Sequence, residues 1–274
     1  MGLSSVQDDG ALLLAPQRVR ALRWRLRTPF EMTDLPTVTP NLQRFPSQTL
    51  LFDADDTLWE NNIYFERAIT AFISYLDHRV HSPEEVRERL NACERATIAE
   101  FGYGLSSFRR SLVDCFEQLS DVPITPERHE RIAAFAASIA EQEIELLPGV
   151  AETLQELSER HTLVMVTKGV VAEQTDKLER SGLRPYFSAV EVLAEKNTAA
   201  YRELIVRHGW DAKSTWMIGN SPKSDVNPAL AAGLNAVFVP HDATWVLEHE
   251  HLDQPGSGQH LLELRSLVEL TERF

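Results

Sequence analysis

Three carboxylates, Asp53, Asp55 and Asp56, stand directly behind the apolar stretch Thr49-Leu50-Leu51-Phe52. Apolar residues that stop at a sudden acidic run read as a buried strand delivering its end to a site. Carboxylates this close repel one another, so a cation is required among them, which points to a metal and to chemistry. A solvated acidic loop is the ordinary alternative, but this run abuts a strand instead of interrupting a polar stretch. If Asp53 attacks phosphorus in an anionic group, like charges about 4 Å apart repel by roughly 4 kcal/mol at an intermediate dielectric. A divalent cation and a lysine must offset that. Asp225, in Gly219-Asn220-Ser221-Pro222-Lys223-Ser224-Asp225, is the natural metal partner, and Lys196 can bridge the nucleophile and the phosphoryl oxygens. Thr167, with the backbone amides of Lys168 and Gly169, can hold the transferred group. Asp55 can protonate the leaving oxygen and then activate water. Taken singly, a lysine is usually a surface charge and a threonine a strand end.

Periodicity assigns the strands and helices that carry these residues. Residues 49–53 are a strand. Phe65, Ile69, Phe72, Ile73, Leu76 and Val80 share one face of a helix over 64–80. Ser82-Pro83-Glu84-Glu85 starts a second helix, with a capping serine, a first-turn proline and acids at the positive dipole end. Thr125-Pro126-Glu127 repeats the device. Phe101-Gly102-Tyr103-Gly104 breaks the helical run, and Phe108, Leu112, Val113 and Phe116 mark the next face, so residues 62–145 read as all-helical. The pattern changes at Leu146-Leu147-Pro148-Gly149-Val150. A helix to about Arg160 precedes a strand at 162–167, a helix over 171–181 ended by Gly182, and a strand at 189–193. A helix over 198–208, a strand at 215–219, a helix near 226–232 ended by Gly233, and a strand at 236–239 complete the series. That alternation predicts an α/β fold with a parallel sheet wrapped by helices. Ligands in such sheets bind beyond the carboxyl ends of the strands, where Asp53, Thr167, Lys196 and residues 219–225 all fall. The helical segment follows the first of these loops and is placed to cover the site.

Asp and Glu number 41 against 27 Lys and Arg, a formal charge of -14 that argues against binding a nucleic acid polymer. No apolar run is long enough to span a bilayer. Cys93 and Cys115 lack metal or redox spacing and read as reduced core thiols, which places the protein in the cytoplasm. Residues 1–46 carry Arg18, Arg20, Arg23, Arg25 and Arg27 followed by Pro29, Pro36, Pro40 and Pro46, and read as a disordered extension. Translation from Met32 is the alternative to Met1, and an upstream peptide in the mass spectrum of the native protein excludes it. Leu12-Leu13-Leu14-Ala15 is too short for a signal-peptide core and precedes its basic residues.

Together and in this order, these segments resemble the haloacid dehalogenase-like hydrolase superfamily over residues 47–245. The run 53–57 is similar to its first motif, DxDxT; Thr167 matches the second, Lys196 the third and residues 219–225 the fourth. The resemblance implies a Rossmann-like three-layer α/β/α core, residues 47–61 and 146–274, with a helical cap over 62–145. It implies a magnesium-dependent phosphatase that hydrolyses a small phosphomonoester through an aspartyl-phosphate. Asp53 would be the nucleophile, Asp55 the general acid/base, and Thr167 and Lys196 the phosphate ligands. Asp53 and Asp225 would bind Mg2+ by side chain and Asp55 by its backbone carbonyl. A phosphomutase, a 2-haloacid dehalogenase and a non-catalytic binding member are the alternatives. Asp55 and Asp225 count against the dehalogenase, which needs neither a leaving-group acid nor a metal.

Asn220 stands where many members carry an acid, and reads equally as a turn residue and as an amide that orients a metal-bound water without adding charge. Asp56 is expected to tune the loop. Lys223 reads as solvated, His249, Glu250 and His251 as a solvated helix, and Trp210, Trp216 and Trp245 as packing residues. Trp59, Glu60 and Asn61 are candidates to face substrate. Residues 101–104 with Arg109 and Arg110 read as a helix connection with exposed arginines, the alternative being a loop that dips into the site.

Overall fold

Six short parallel strands form the sheet: β1 (Thr49–Phe52), β2 (Thr162–Lys168), β3 (Ala189–Leu193), β4 (Thr215–Gly219), β5 (Asn235–Phe238) and β6 (Leu261–Glu263). The computed structural model describes residues 44–76 and 80–274. The expectations for residues 1–43, a disordered extension and a start at Met1 or Met32, lie outside the described residues. The strand order is β3-β2-β1-β4-β5-β6. Both faces of a parallel sheet are covered, so its strands are apolar throughout; Leu50, Leu51, Phe52, Met165, Val166, Met217 and Ile218 are all buried. The chain leaves β1 for one side of the sheet and returns to the other through β4. That reversal opens a crevice at the carboxyl ends of β1 and β4.

Helices α1 (Asn62–Tyr75), α2 (Pro83–Phe101), α3 (Leu105–Leu119) and α4 (Pro126–Ala140) come between β1 and β2. They pack around a core of their own that includes Ile69, Phe72, Leu90, Leu112, Phe116 and Ile132. Each such side chain contributes about 2 kcal/mol when fully buried, so this unit does not depend on the sheet for its core. Ser82 caps α2 in a full capping box with Glu85, and Thr125 caps α4. Helices α5 (Val150–Ser158), α6 (Val171–Ser181), α7 (Thr198–His208) and α8 (Asn227–Ala232) cover the sheet.

The structure departs from the sequence expectation in four places. Helix α1 ends at Tyr75, and Val80, expected on its buried face, is 73% exposed. Strand β6 was not anticipated, because three residues are too few to show a period. His249, Glu250 and His251 are not helical; they follow a single turn at Val246–Glu248. The core also begins before residue 47: Phe45 packs on Trp216 and Phe274, with ring centroids at 4.8 and 5.4 Å.

Candidate active site

Asp53 leaves the end of β1 with its N–H donating to the Ile218 carbonyl at 2.9 Å, which fixes the backbone across β1 and β4. Thr57 Oγ1 donates to Asp53 Oδ2 at 2.9 Å and lies 3.2 Å from Asn220 Oδ1. Lys196 reaches the same place from the start of α7, whose cap Asn197 accepts from the Ala200 N–H. Its Nζ donates to Asp53 Oδ1 and, at 2.8 Å, to Asp225 Oδ1. Asp225 is held in turn by the Ser221 N–H at 3.0 Å. Gly219 makes this possible: a Cβ there would stand 2.2 Å from Asp225 Oδ2. Burial and the neighbouring Asp53 push the Asp225 carboxyl up to about 7, against the pull of Lys196. Burial works against the charge on Lys196, yet Asp225 and Asp53 raise its pKa above the usual lysine value. Asn220 is more than a turn former. It sits between Thr57 and Thr244, donating to Thr244 Oγ1 at 2.9 Å.

Asp55 is anchored beside this centre by three donors: Trp59 Nε1 at 2.7 Å, Lys177 Nζ at 2.8 Å and Gln174 Nε2 at 3.0 Å. Burial works to raise its pKa, but Lys177 and these hydrogen bonds hold it below the usual carboxylate range. Gln174 also faces Thr167 Oγ1 at 3.3 Å, so one amide couples the ends of β1 and β2. Trp59 is fully buried and holds Asp55, and with Glu60 and Asn61, the three residues expected to face substrate, it lines the cavity of the site. Asp56 has a φ of 61° and accepts from the Asn61 and Asn62 N–H groups at 2.9 Å, folding the following turn back. It groups with Glu60 and His241, whose ligand atoms and its own all lie within 4.8 Å.

At the end of β2 the expectation for the Gly169 amide needs correction, and so does the reading of residues 101–104 as a mere helix connection. The Gly169 N–H is not free for a phosphoryl group; it donates to the Leu193 carbonyl at 3.1 Å. Glycine is needed there for its φ of 136°. The side chain of Lys168 donates to Glu248 Oε1 at 2.7 Å, Ser224 Oγ at 2.8 Å and Tyr103 Oη at 3.2 Å. Glu248 also accepts from Ser221 and Ser224. Tyr103 donates to Glu195 Oε2 at 2.9 Å, so residues 101–104 do reach the sheet. Arg109 and Arg110 remain exposed as expected. Sequence reasoning missed Gln174, Lys177 and Glu248. The first two were visible as polar residues one turn apart on the helix after Thr167, whereas nothing near Glu248 distinguishes it from its exposed neighbours.

Asp53, Asp55, Thr167, Lys168, Gly169, Lys196, Asn220 and Asp225 line one cavity of about 270 Å³, which continues upward between α1, α2 and α3. The donors at its floor are oxygen atoms, the set a hard divalent cation takes. Burial and Asp53 already strain the charge on Asp225, and a cation would relieve both carboxylates. Among the described residues no helix is long and apolar enough to cross a membrane.

A family model of the haloacid dehalogenase-like hydrolases matches residues 48–233. The chain is similar to the pyrimidine 5'-nucleotidase PynA of Streptococcus pneumoniae, 28% identical across 81% of this chain and 93% of that protein. It is similar to the glyceraldehyde 3-phosphate phosphatase of Methanothermobacter thermautotrophicus, 27% identical across 76% and 92%. Among solved structures it resembles a haloacid dehalogenase-like family hydrolase from Xanthomonas campestris. The TM-score is 0.72 at 27% identity, covering 84% of this chain and 93% of that one.

Proposed function

Because this chain belongs to the haloacid dehalogenase-like hydrolases, we propose that it is a magnesium-dependent phosphatase of small phosphomonoesters working through an aspartyl-phosphate. The observation that carries this reading is Lys196 donating to both Asp53 and Asp225 at the strand ends, with Asp55 anchored alongside. Asp53 and Asp225 by side chain, and Asp55 by its carbonyl, would hold Mg2+, with Asn220 supporting from behind. The ion supplies charge neutralisation for the incoming phosphate.

An Asp53 carboxylate oxygen attacks phosphorus and the ester oxygen departs with the proton of Asp55. The aspartyl-phosphate then yields to a water whose proton returns to Asp55, releasing phosphate and restoring Asp53. Lys196 offsets the repulsion between Asp53 and the phosphate, and the Thr167 hydroxyl and the backbone amide of Lys168 face the phosphoryl oxygens, the Lys168 side chain being held by Glu248. The hydrogen bonds from Lys177 and Gln174 favour ionised Asp55, whereas an arriving phosphate dianion favours its protonated form, as the first step requires. Helices α1–α4 serve as a cap that excludes water and selects the leaving group. The two similar proteins named above act, by their names, on a pyrimidine nucleotide and on a triose phosphate, so those classes head the substrate panel. Cys93 and Cys115 are buried and unpaired, which suits a reducing compartment such as the cytoplasm.

The test is hydrolysis of 4-nitrophenyl phosphate and a panel of phosphometabolites with magnesium. Turnover should vanish with EDTA and drop by about 10⁴-fold or more in Asp53→Asn. A variant Asp53→Asn that keeps wild-type turnover would defeat the proposed nucleophile.

A further inference from the structure

The cavity does not end at the strand ends. Its upper wall includes Phe65, Ile98, Phe108 and Ile139, apolar side chains among which one acid, Glu94 of α2, is set. Glu94 is 5% exposed, and its Oε2 is buried without a hydrogen-bond partner. An acid buried against apolar walls is expected to have a partner that compensates it. Arg87, whose charge acts on Glu94, gives its Nη2 to Glu66 at 2.7 Å instead. Burial pushes the Glu94 carboxyl up to about 7, with Arg87 pulling the other way and Glu66 adding to the rise. Ser107 of α3 is buried on the same wall.

We infer that Glu94, with Ser107 and the apolar side chains around them, forms a recognition subsite for a leaving group that carries a flat heterocycle presenting an N–H donor, the chemistry of a nucleobase. This rests on the phosphatase reading, since the floor of the same cavity takes the phosphate. The aromatic and aliphatic walls accept the faces of a ring, and the Glu94 carboxylate that lines the cavity accepts from its edge. A leaving group ending in a carboxylate is disfavoured twice, by the acid and by the apolar wall. A three-carbon leaving group leaves the upper cavity unfilled and the Glu94 carboxylate unmatched. Arg87 Nη1 and Asn91 Oδ1 are also buried and unpartnered, so the polar strip continues along the i, i+4, i+7 face of α2.

The experiment compares uridine and cytidine 5'-monophosphates with 4-nitrophenyl phosphate, a flat ring that offers no N–H. In Glu94→Leu the ratio of kcat/KM for nucleotide over nitrophenyl phosphate should decrease about 10- to 100-fold, chiefly through KM. Glu94→Gln keeps the shape and an acceptor oxygen, and should recover part of the ratio. A ratio within twofold of wild type in both variants overturns the subsite. Calorimetric binding of free uridine and cytidine decides the same point without turnover: binding weakened by Glu94→Leu supports it, and no binding, or equal binding, overturns it. Loss of all turnover in Asp53→Asn with nucleoside binding intact separates the phosphatase reading from this one.

Discussion

The strand ends and the helical wall above them treat buried polar groups differently, although Glu60 Oε2 behind β1, 3.4 Å from His241 Nε2, also lacks a hydrogen bond. Around the sheet, Asp53, Asp225, Lys196, Asn220 and Glu248 each have a partner, and Asp55 has three donors. On the inner face of α2, Arg87, Asn91 and Glu94 each leave one buried atom without a partner. A preorganised network is what a reaction common to many substrates needs, because reorganisation during the step would raise the barrier. An unsatisfied buried acceptor loses stability in the free protein and regains it only when a matching donor arrives. On the proposed function, the floor of the cavity serves the chemistry and its roof the selection.

The largest effect should come from breaking the network at its centre. Lys196→Met leaves two buried carboxylates without their cation; urea unfolding should show a loss of about 3–5 kcal/mol, and turnover should drop below detection. Magnesium should restore part of the stability and little of the activity. Gly219→Ala drives a methyl into Asp225, and a displacement of that kind should reduce kcat by about 100-fold while far-ultraviolet circular dichroism stays native.

Next comes the Lys168–Glu248 pair, which joins the network to Tyr103 of the helical unit. Glu248 is buried, yet Lys168 and the two serines hold its carboxyl below the usual value of 4.5. A depressed carboxylate stabilises the fold above pH 4.5 and loses that contribution as pH decreases through its folded value. Glu248→Gln should therefore be about 2 kcal/mol less stable than wild type at pH 7, and urea midpoints should converge below pH 4.5. Tyr103→Phe removes one hydroxyl between Lys168 and Glu195 and should raise KM by about threefold, with a stability change under about 1 kcal/mol. The comparison is sharpest at its smallest effect: Glu94→Leu should leave the melting temperature equal or higher, because it removes an uncompensated acid. A lower melting temperature would place Glu94 on the structural side of the contrast.

Much of the fold was legible because the strands of a parallel sheet are apolar runs and the helix boundaries carry caps. Ser82, Thr125, Gly182 and Gly233 stop or start helices where the sequence says they do. Less legible were segments whose stability comes from distant partners. Strand β6 is three residues long and exists through its pairing with β5. Helix α1 stops at Tyr75 although its apolar period runs on to Val80, since periodicity alone does not mark an end. In the site, the DxDxT run announces Asp53 and Asp55, but the amide of Gly169 looks free until β3 is seen to claim it.

The alternation of strands and helices, the acidic run at the end of β1 and the helical segment behind it can all be read along the chain. These are local properties, written in side-chain period, caps and charge. Packing places Lys196 between Asp53 and Asp225, sets Lys177 and Gln174 on Asp55, and brings Glu94 to the same cavity with its Oε2 unpartnered. Those relations join residues up to 143 positions apart. They depend on strand order and helix packing, which no local pattern encodes.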